Sequence, residues 1–215
     1  MLSVNFYLIF VSMKIDKKLL KITFLGTGTS QGVPMIASSH PVCLSTDNRD
    51  KRLRSSILIS WDHKTIVIDC GPDFRQQMIS ANCQHVDGIL FTHEHSDHTA
   101  GIDDIRPFNF KQGKIPIYAH QRVIDNLESR FEYVFTTVNK YPGAPSVQTM
   151  EVTNNESFEL GGKTVIPVNV MHGDLQVFGY RIDDFAYVTD AKTIAENEIS
   201  KLKNLKVLVI NALRE

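Results

Sequence analysis

The strongest constraint on this chain is a group of metal-binding side-chain types placed directly after an apolar strand. Within the stretch LFTHEHSDHTAG lie His93, His95, Asp97 and His98, which is a strong concentration for a chain with eight histidines. Because strand side chains alternate between faces, His93 and His95 can point the same way, while Asp97 and His98 lie on the following turn. Imidazole and carboxylate groups together suit Zn²⁺, Mn²⁺ or iron. The pattern predicts a metal site at the end of a sheet, and its density favours two ions over one.

The rest of the chain alternates short apolar runs with helical patterns. The predicted strands cover residues 21–26, 55–61, 64–71, 86–93, 114–120, 157–172, 177–183, 185–190 and 206–213. The predicted helices cover residues 74–83, 121–135 and 193–202. Strands that occur both in hairpins and between helices indicate an α/β layered sandwich. Residues 136–152 contain proline and glycine and are predicted to form a long loop.

Charge and cysteine content narrow the functional classes. The net charge is −1, without the basic surplus that is typical of nucleic-acid-binding proteins. Three cysteines, an odd number, argue against a disulfide framework and indicate a reducing compartment such as the cytoplasm. The apolar run at residues 6–11 is too short to span a membrane and lacks the basic segment of a signal peptide. We predict that Met13 is the biological start and that residues 1–12 are an extension.

The motif THEHSDHTAG resembles the signature of the metallo-β-lactamase superfamily of hydrolases. Further stretches are similar to the branch that contains phosphoribosyl 1,2-cyclic phosphate phosphodiesterase: FLGTGTSQGVP, RLRSSILI, IDCGPDFRQQ, HTAGIDDIRPF and YVTDA. The resemblance covers nearly the whole chain from Lys21 onward. It implies a four-layer αββα sandwich and a single hydrolase domain over residues 13–215.

The resemblance also implies a set of ligands for two divalent ions, Zn²⁺ or Mn²⁺. The first ion would be held by three histidines and the second by the aspartate and histidine of the motif, with one further aspartate bridging the two ions. The six ligands, in chain order, are His93, His95, Asp97, His98, His172 and Asp190. Both His172 and Asp190 end predicted strands. Taken alone, Asp190 fits equally well as the N-cap of the helix predicted at residues 193–202.

Three side chains have predicted roles beyond simple ligation. Asp69 ends an apolar strand, and a buried carboxylate needs a partner, so we predict that it accepts the N–H of a ligand histidine; the alternative is a helix N-cap or turn residue. Arg106 is a candidate for contact with a substrate phosphate; the alternative is an ion pair with a neighbour such as Asp103 or Asp104. Asp97 is expected to orient the nucleophile as well as bind metal.

These features indicate a metal-dependent hydrolase, with a small cyclic phosphodiester as the favoured substrate. A hydroxide held between two ions would attack phosphorus. A tRNA 3′-processing endoribonuclease is disfavoured, because residues 140–151 include only two charged side chains to reach RNA. A thioesterase of the same superfamily stays open. No membrane partner is expected, and a homodimer stays open.

One departure from the family pattern concerns the second metal. Relatives usually supply one more histidine after the last strand, but no histidine follows His172 in a chain that ends at Glu215. We expect either that the C-terminal end of the fold is incomplete or that the second site has one ligand fewer. The latter would leave a catalytically impaired metal-binding protein.

Overall fold

In the computed structural model, which describes residues 19–211, the strands assemble into two six-stranded sheets. The strands of the first sheet lie side by side in chain order: β1 (Lys21–Gly26), β2 (Ser56–Trp61), β3 (Lys64–Ile68), β4 (Gly88–Leu90), β5 (Ile115–Ala119) and β6 (Val147–Glu151). β2 pairs antiparallel with both β1 and β3, whereas β3 to β6 pair in parallel. The C-terminal ends of β3 and β4 therefore meet at one edge of the sheet.

The second sheet is built around a long hairpin. Its strands are β7 (Phe158–Leu160), β8 (Lys163–His172), β9 (Leu175–Ile182), β10 (Phe185–Val188), β11 (Thr193–Ile194) and β12 (Val207–Ile210). The order across the sheet is β11, β8, β9, β10 and β12, with β7 also paired to β8. Because β8 and β10 both pair antiparallel with β9, they run in the same direction and end at the same edge.

Strand alternation separates the apolar side chains into layers. In β2, Ile57 and Ile59 pack in the core between the sheets, whereas Leu58 packs with the helices outside the first sheet. A smaller cluster around Val168 and Val188 covers the outer face of the second sheet. The helices are α1 (Pro41–Leu44), α2 (Phe74–Ser80), α3 (Ser96–Thr99), α4 (Arg106–Gln112), α5 (Gln121–Arg130), α6 (Glu132–Phe135) and α7 (Glu196–Ile199). The predicted αββα layering is confirmed.

Two predicted elements were wrong in part. The predicted loop at residues 136–152 contains β6, because its proline and glycine residues precede a short run that extends the sheet beside β5. The predicted helix at residues 193–202 is instead β11, then α7 and a 3₁₀ turn. The β-branched pair Thr193 and Ile194 extends the second sheet beside β8, and Ala195 is still extended, so the helix begins only at residue 196.

Two predictions concern residues outside the described range. The proposed extension at residues 1–12 lies there, and so do residues 212–215, at the C-terminal end predicted to be incomplete. Within residues 19–211, no helix has the length and apolar character needed to cross a membrane.

Candidate metal centre

Strand ends from both sheets converge on one place. In the first sheet, Asp69 follows β3 and His93 lies shortly after β4, while His172 ends β8 and Asp190 lies just past β10 in the second. Two hydrogen bonds join the sheets here: the Phe178 amide donates to the Thr92 carbonyl (3.0 Å), and the Tyr180 hydroxyl donates to the Phe91 carbonyl (2.6 Å). The packing of the two sheets thereby determines how their polar strand ends face one another.

The side chains of the histidine motif and Asp190 form a tight cluster. Ligand atoms of His93, His98 and Asp190 all lie within 4.8 Å of one another. His93 Nε2 is 3.0 Å from His95 Nδ1, and His98 Nε2 is 3.2 Å from Asp97 Oδ2 and 3.3 Å from Asp190 Oδ2. Imidazole nitrogens and carboxylate oxygens that face one another so closely form a donor set that fits Zn²⁺ or Mn²⁺.

His172 completes the predicted set from the second sheet. Its ring centroid lies 6.0 Å from that of His93 and 5.6 Å from that of His95. The structure therefore brings all six predicted ligands into one region. Their roles as ligands, and the orienting role of Asp97, stay predictions.

Asp69 lies directly beneath this cluster and is fully buried. It accepts hydrogen bonds from the amide and the hydroxyl of Thr92, both at 2.9 Å, and its Oδ2 lies 2.6 Å from His98 Nδ1. It does not cap α2, which begins at Phe74 after Asp73. When His98 donates its Nδ1–H to Asp69, its Nε2 presents a lone pair toward the other ligands.

Thr92, which was not predicted as a site residue, contacts two groups of the cluster. Besides its contacts with Asp69, its hydroxyl oxygen lies 2.9 Å from His93 Nδ1. It therefore links His93 to the buried carboxylate of Asp69, which itself contacts His98. A hydroxyl side chain at the end of an apolar strand, immediately before the first motif histidine, was the signal available in the sequence.

Asp190 leaves β10 through a sharp backbone bend. Its φ angle is +54°, in the left-handed region that aspartate tolerates better than most residues. The turn is held by Asn211, which accepts from the Ala191 amide (2.9 Å) and donates to its carbonyl (3.2 Å). The next helix begins at Glu196 and is preceded by Ala195, so the N-cap alternative for Asp190 is wrong.

The electrostatics of the cluster favour a cation. Burial and the neighbouring His98 lower the pKa of His93 to about 3, so its imidazole is neutral and able to bind metal. Burial opposes a charge on His98, but Asp69, Asp190 and Asp97 outweigh burial and raise the pKa of His98 well above its usual value. Three carboxylates around one imidazole thus concentrate negative charge where the candidate ligand atoms converge.

Arg106, which was predicted to contact a substrate phosphate, forms hydrogen bonds with protein side chains. Its Nη2 donates to Asp103 Oδ1 at 2.6 Å and to the Tyr141 hydroxyl at 3.2 Å. The Tyr133 hydroxyl also donates to Asp103, at 2.9 Å. The ion pair that formed the alternative interpretation is therefore present, and contact between Arg106 and a phosphate stays a prediction.

We predict that Asp69→Asn weakens metal binding about 10–100-fold, the usual cost of losing a partner that orients a ligand histidine. The amide keeps the volume of the carboxylate but lacks its charge, so it holds His98 less firmly in the tautomer that binds metal. Isothermal titration with Zn²⁺ measures the effect. Unchanged Zn²⁺ affinity in a folded variant would show that Asp69 only supports the fold.

Comparison with known families agrees with this arrangement. Residues 64–215, which include all of the candidate ligands, match the family described as "Beta-lactamase superfamily domain". The chain belongs to the beta-lactamase superfamily. The match covers most of the chain, from β3 through the end of the second sheet.

Individual relatives support a narrower placement. A crystal structure described as a new diphosphatase from the PhnP family is 36% identical, with a TM-score of 0.80, and the match covers 88% of this chain and 73% of the other. This identity and coverage place the chain in the PhnP branch of the superfamily.

Two curated relatives are longer proteins. The Octanoyltransferase of Porphyromonas gingivalis is 44% identical over 91% of this chain, which spans only 39% of that protein. A Ribonuclease Z of Bradyrhizobium diazoefficiens is 27% identical over 74% of this chain and 48% of its own length. The chain therefore spans less than half the length of these two relatives.

Proposed function

We propose that this protein is a metal-dependent phosphodiesterase that acts on a small, cyclic phosphodiester. The observation that carries the proposal is the convergence of six imidazole and carboxylate groups, from both sheets, at one edge of the fold. The similarity to a PhnP-family diphosphatase supports phosphorus chemistry over other hydrolyses. The odd cysteine count and the three free cysteines support a cytoplasmic location.

The candidate residues fall into two groups, those that would bind the metal ions and those that orient the metal ligands. We assign His93, His95 and His172 to one divalent ion, and Asp97 and His98 to a second, with Asp190 between them. Two ions bound here would lower the pKa of a water molecule and offset charge on the phosphoryl oxygens.

Two buried side chains, those of Asp69 and Thr92, hold the candidate ligand histidines in position. Asp69 and Thr92 hold the rings of His98 and His93 from the protein side. Asp97, which is partly exposed, would accept a proton from the attacking water and fix its direction.

Hydrolysis of an acyl thioester is a second candidate. It is favoured by the similarity to a protein named Octanoyltransferase, although most of that protein lies outside the match. Divalent ions held by the same ligands would polarise a thioester carbonyl as well as a phosphoryl oxygen. The substrate, and not the metal chemistry, distinguishes the two candidates.

The test is a substrate panel on protein loaded with Zn²⁺ or Mn²⁺ and on the same protein stripped by a chelator. The panel contains bis(p-nitrophenyl) phosphate, a cyclic ribose phosphate, an octanoyl thioester and a precursor tRNA. We expect metal-dependent cleavage of the two small phosphodiesters, with the cyclic compound preferred. Cleavage of the thioester alone, or of the tRNA alone, would overturn the assignment.

A further inference from the structure

The helix α5 presents a polar stripe toward the segment that carries the histidine motif. Its buried face consists of Val123, Ile124 and Leu127. Arg122, Asn126 and Arg130 follow one another at four-residue spacing and therefore share another face of the helix. This face supplies hydrogen bonds to residues 94–99, the segment that includes His95, Asp97 and His98.

Arg130 holds the backbone and hydroxyls of the motif turn. Its Nη1 donates to the Glu94 carbonyl (2.9 Å) and to Thr99 Oγ1 (3.0 Å), and its Nη2 donates to Ser96 Oγ (3.2 Å). Thr99 in turn donates to the His95 carbonyl at 2.9 Å. Arg130 therefore braces the turn on which His95, Asp97 and His98 are arranged.

Arg122 connects the same segment to the second sheet. Its Nε lies 2.9 Å from Glu94 Oε1, and its Nη2 donates to Glu94 Oε2 (3.1 Å) and to the Gln176 carbonyl (2.6 Å). Glu94 stands between His93 and His95, and Gln176 lies on β9 opposite the residue that precedes His172. One guanidinium thereby joins the two segments that carry the three histidines assigned to the first ion.

We propose that Arg122 and Arg130, here called the arginine brace, are positioning residues. They set the geometry of the metal centre by holding the segments that carry its ligands. The proposal rests on the proposed function, since it requires that the cluster bind metal. A planar guanidinium with several fixed donors suits this role better than a single ammonium, because it can hold a carboxylate and a carbonyl at once. Arg122 fixes the spacing between the sheets, and Arg130 fixes the shape of the turn.

The test uses Co²⁺ as the probe, because its absorption spectrum reports the geometry of its ligands. We expect Arg122→Gln to weaken Co²⁺ binding about 10–100-fold, as is typical when a group that orients ligands is lost, and to shift the spectrum. Arg122→Lys keeps the charge but not the fork, so it should recover only part of the affinity. Glu94→Gln removes the same ion pair from the other side and should move both readouts in the same direction.

Arg181 provides a matched control. It donates to three backbone carbonyls, those of Asp183, Lys201 and Lys203, at the other end of β9 from Gln176. Arg181→Gln should lower the melting temperature but leave Co²⁺ affinity and spectrum unchanged. Wild-type affinity and spectrum in both Arg122→Gln and Glu94→Gln would overturn the positioning role of Arg122 while leaving the proposed function intact. Failure of the wild-type protein to bind Co²⁺ would instead refute the proposed function and the brace together.

Discussion

Replacing His95 with alanine is expected to abolish metal-dependent hydrolysis, with a fall in kcat/KM of at least about 1,000-fold, or about 4 kcal/mol of transition-state stabilisation. His95 is exposed at the rim of the site, and its Nδ1 lies 3.0 Å from His93 Nε2. Its loss removes one imidazole from the first metal position but takes no apolar side chain out of the core. We therefore expect the variant to fold, so that the fall in kcat/KM reflects the loss of a metal ligand.

His63→Ala is the control for this variant. His63 is exposed in the turn between β2 and β3, far along the chain from the motif. Turnover of the preferred phosphodiester and Zn²⁺ content are measured on both variants. Wild-type turnover in His95→Ala would show that the site has been assigned to the wrong residues, whatever the substrate.

The second large effect is expected for Gly71→Ala. An added Cβ at Gly71 would lie 2.0 Å from the carbonyl oxygen of Asp97, which is backbone and cannot rotate away. The segments are joined here, since the Cys70 amide donates to the His98 carbonyl at 2.8 Å. We expect a loss in unfolding free energy at the upper end of the about 1–3 kcal/mol that overpacking costs.

The same change should also impair function. The displaced backbone carries Asp97 and His98 with it, and misplacement of catalytic groups by about 1 Å costs about 100-fold in rate. Gly88→Ala is the matched control, since its Cβ would first meet a side-chain atom, Cε2 of Tyr118, at 3.2 Å. Urea denaturation and turnover are measured on both. If the two variants behave alike, the close approach of Gly71 to the motif has no special role.

Much of the site could be predicted from the sequence, because four of its residues lie close together in the chain. The period of a strand and the crowding of ligand types were enough to single out His93, His95, Asp97 and His98. His172 and Asp190 required the family resemblance, because a lone polar residue at a strand end has many uses. The prediction of Asp69 as a partner of a ligand histidine rested on burial, and the structure places it 2.6 Å from His98.

The amino-acid sequence alone determined an α/β layered class and the chemical character of the site, because apolar alternation and ligand chemistry are properties of neighbouring residues, whereas the four-layer αββα arrangement followed from the family resemblance. Only the tertiary structure decided which distant groups meet. The two sheets pack so that β8 and β10 end opposite β3 and β4, and α5 lies so that Arg122 reaches both Glu94 and Gln176. Such contacts depend on how whole strands and helices pack against one another. A short stretch of sequence does not reveal which distant stretch will pack against it.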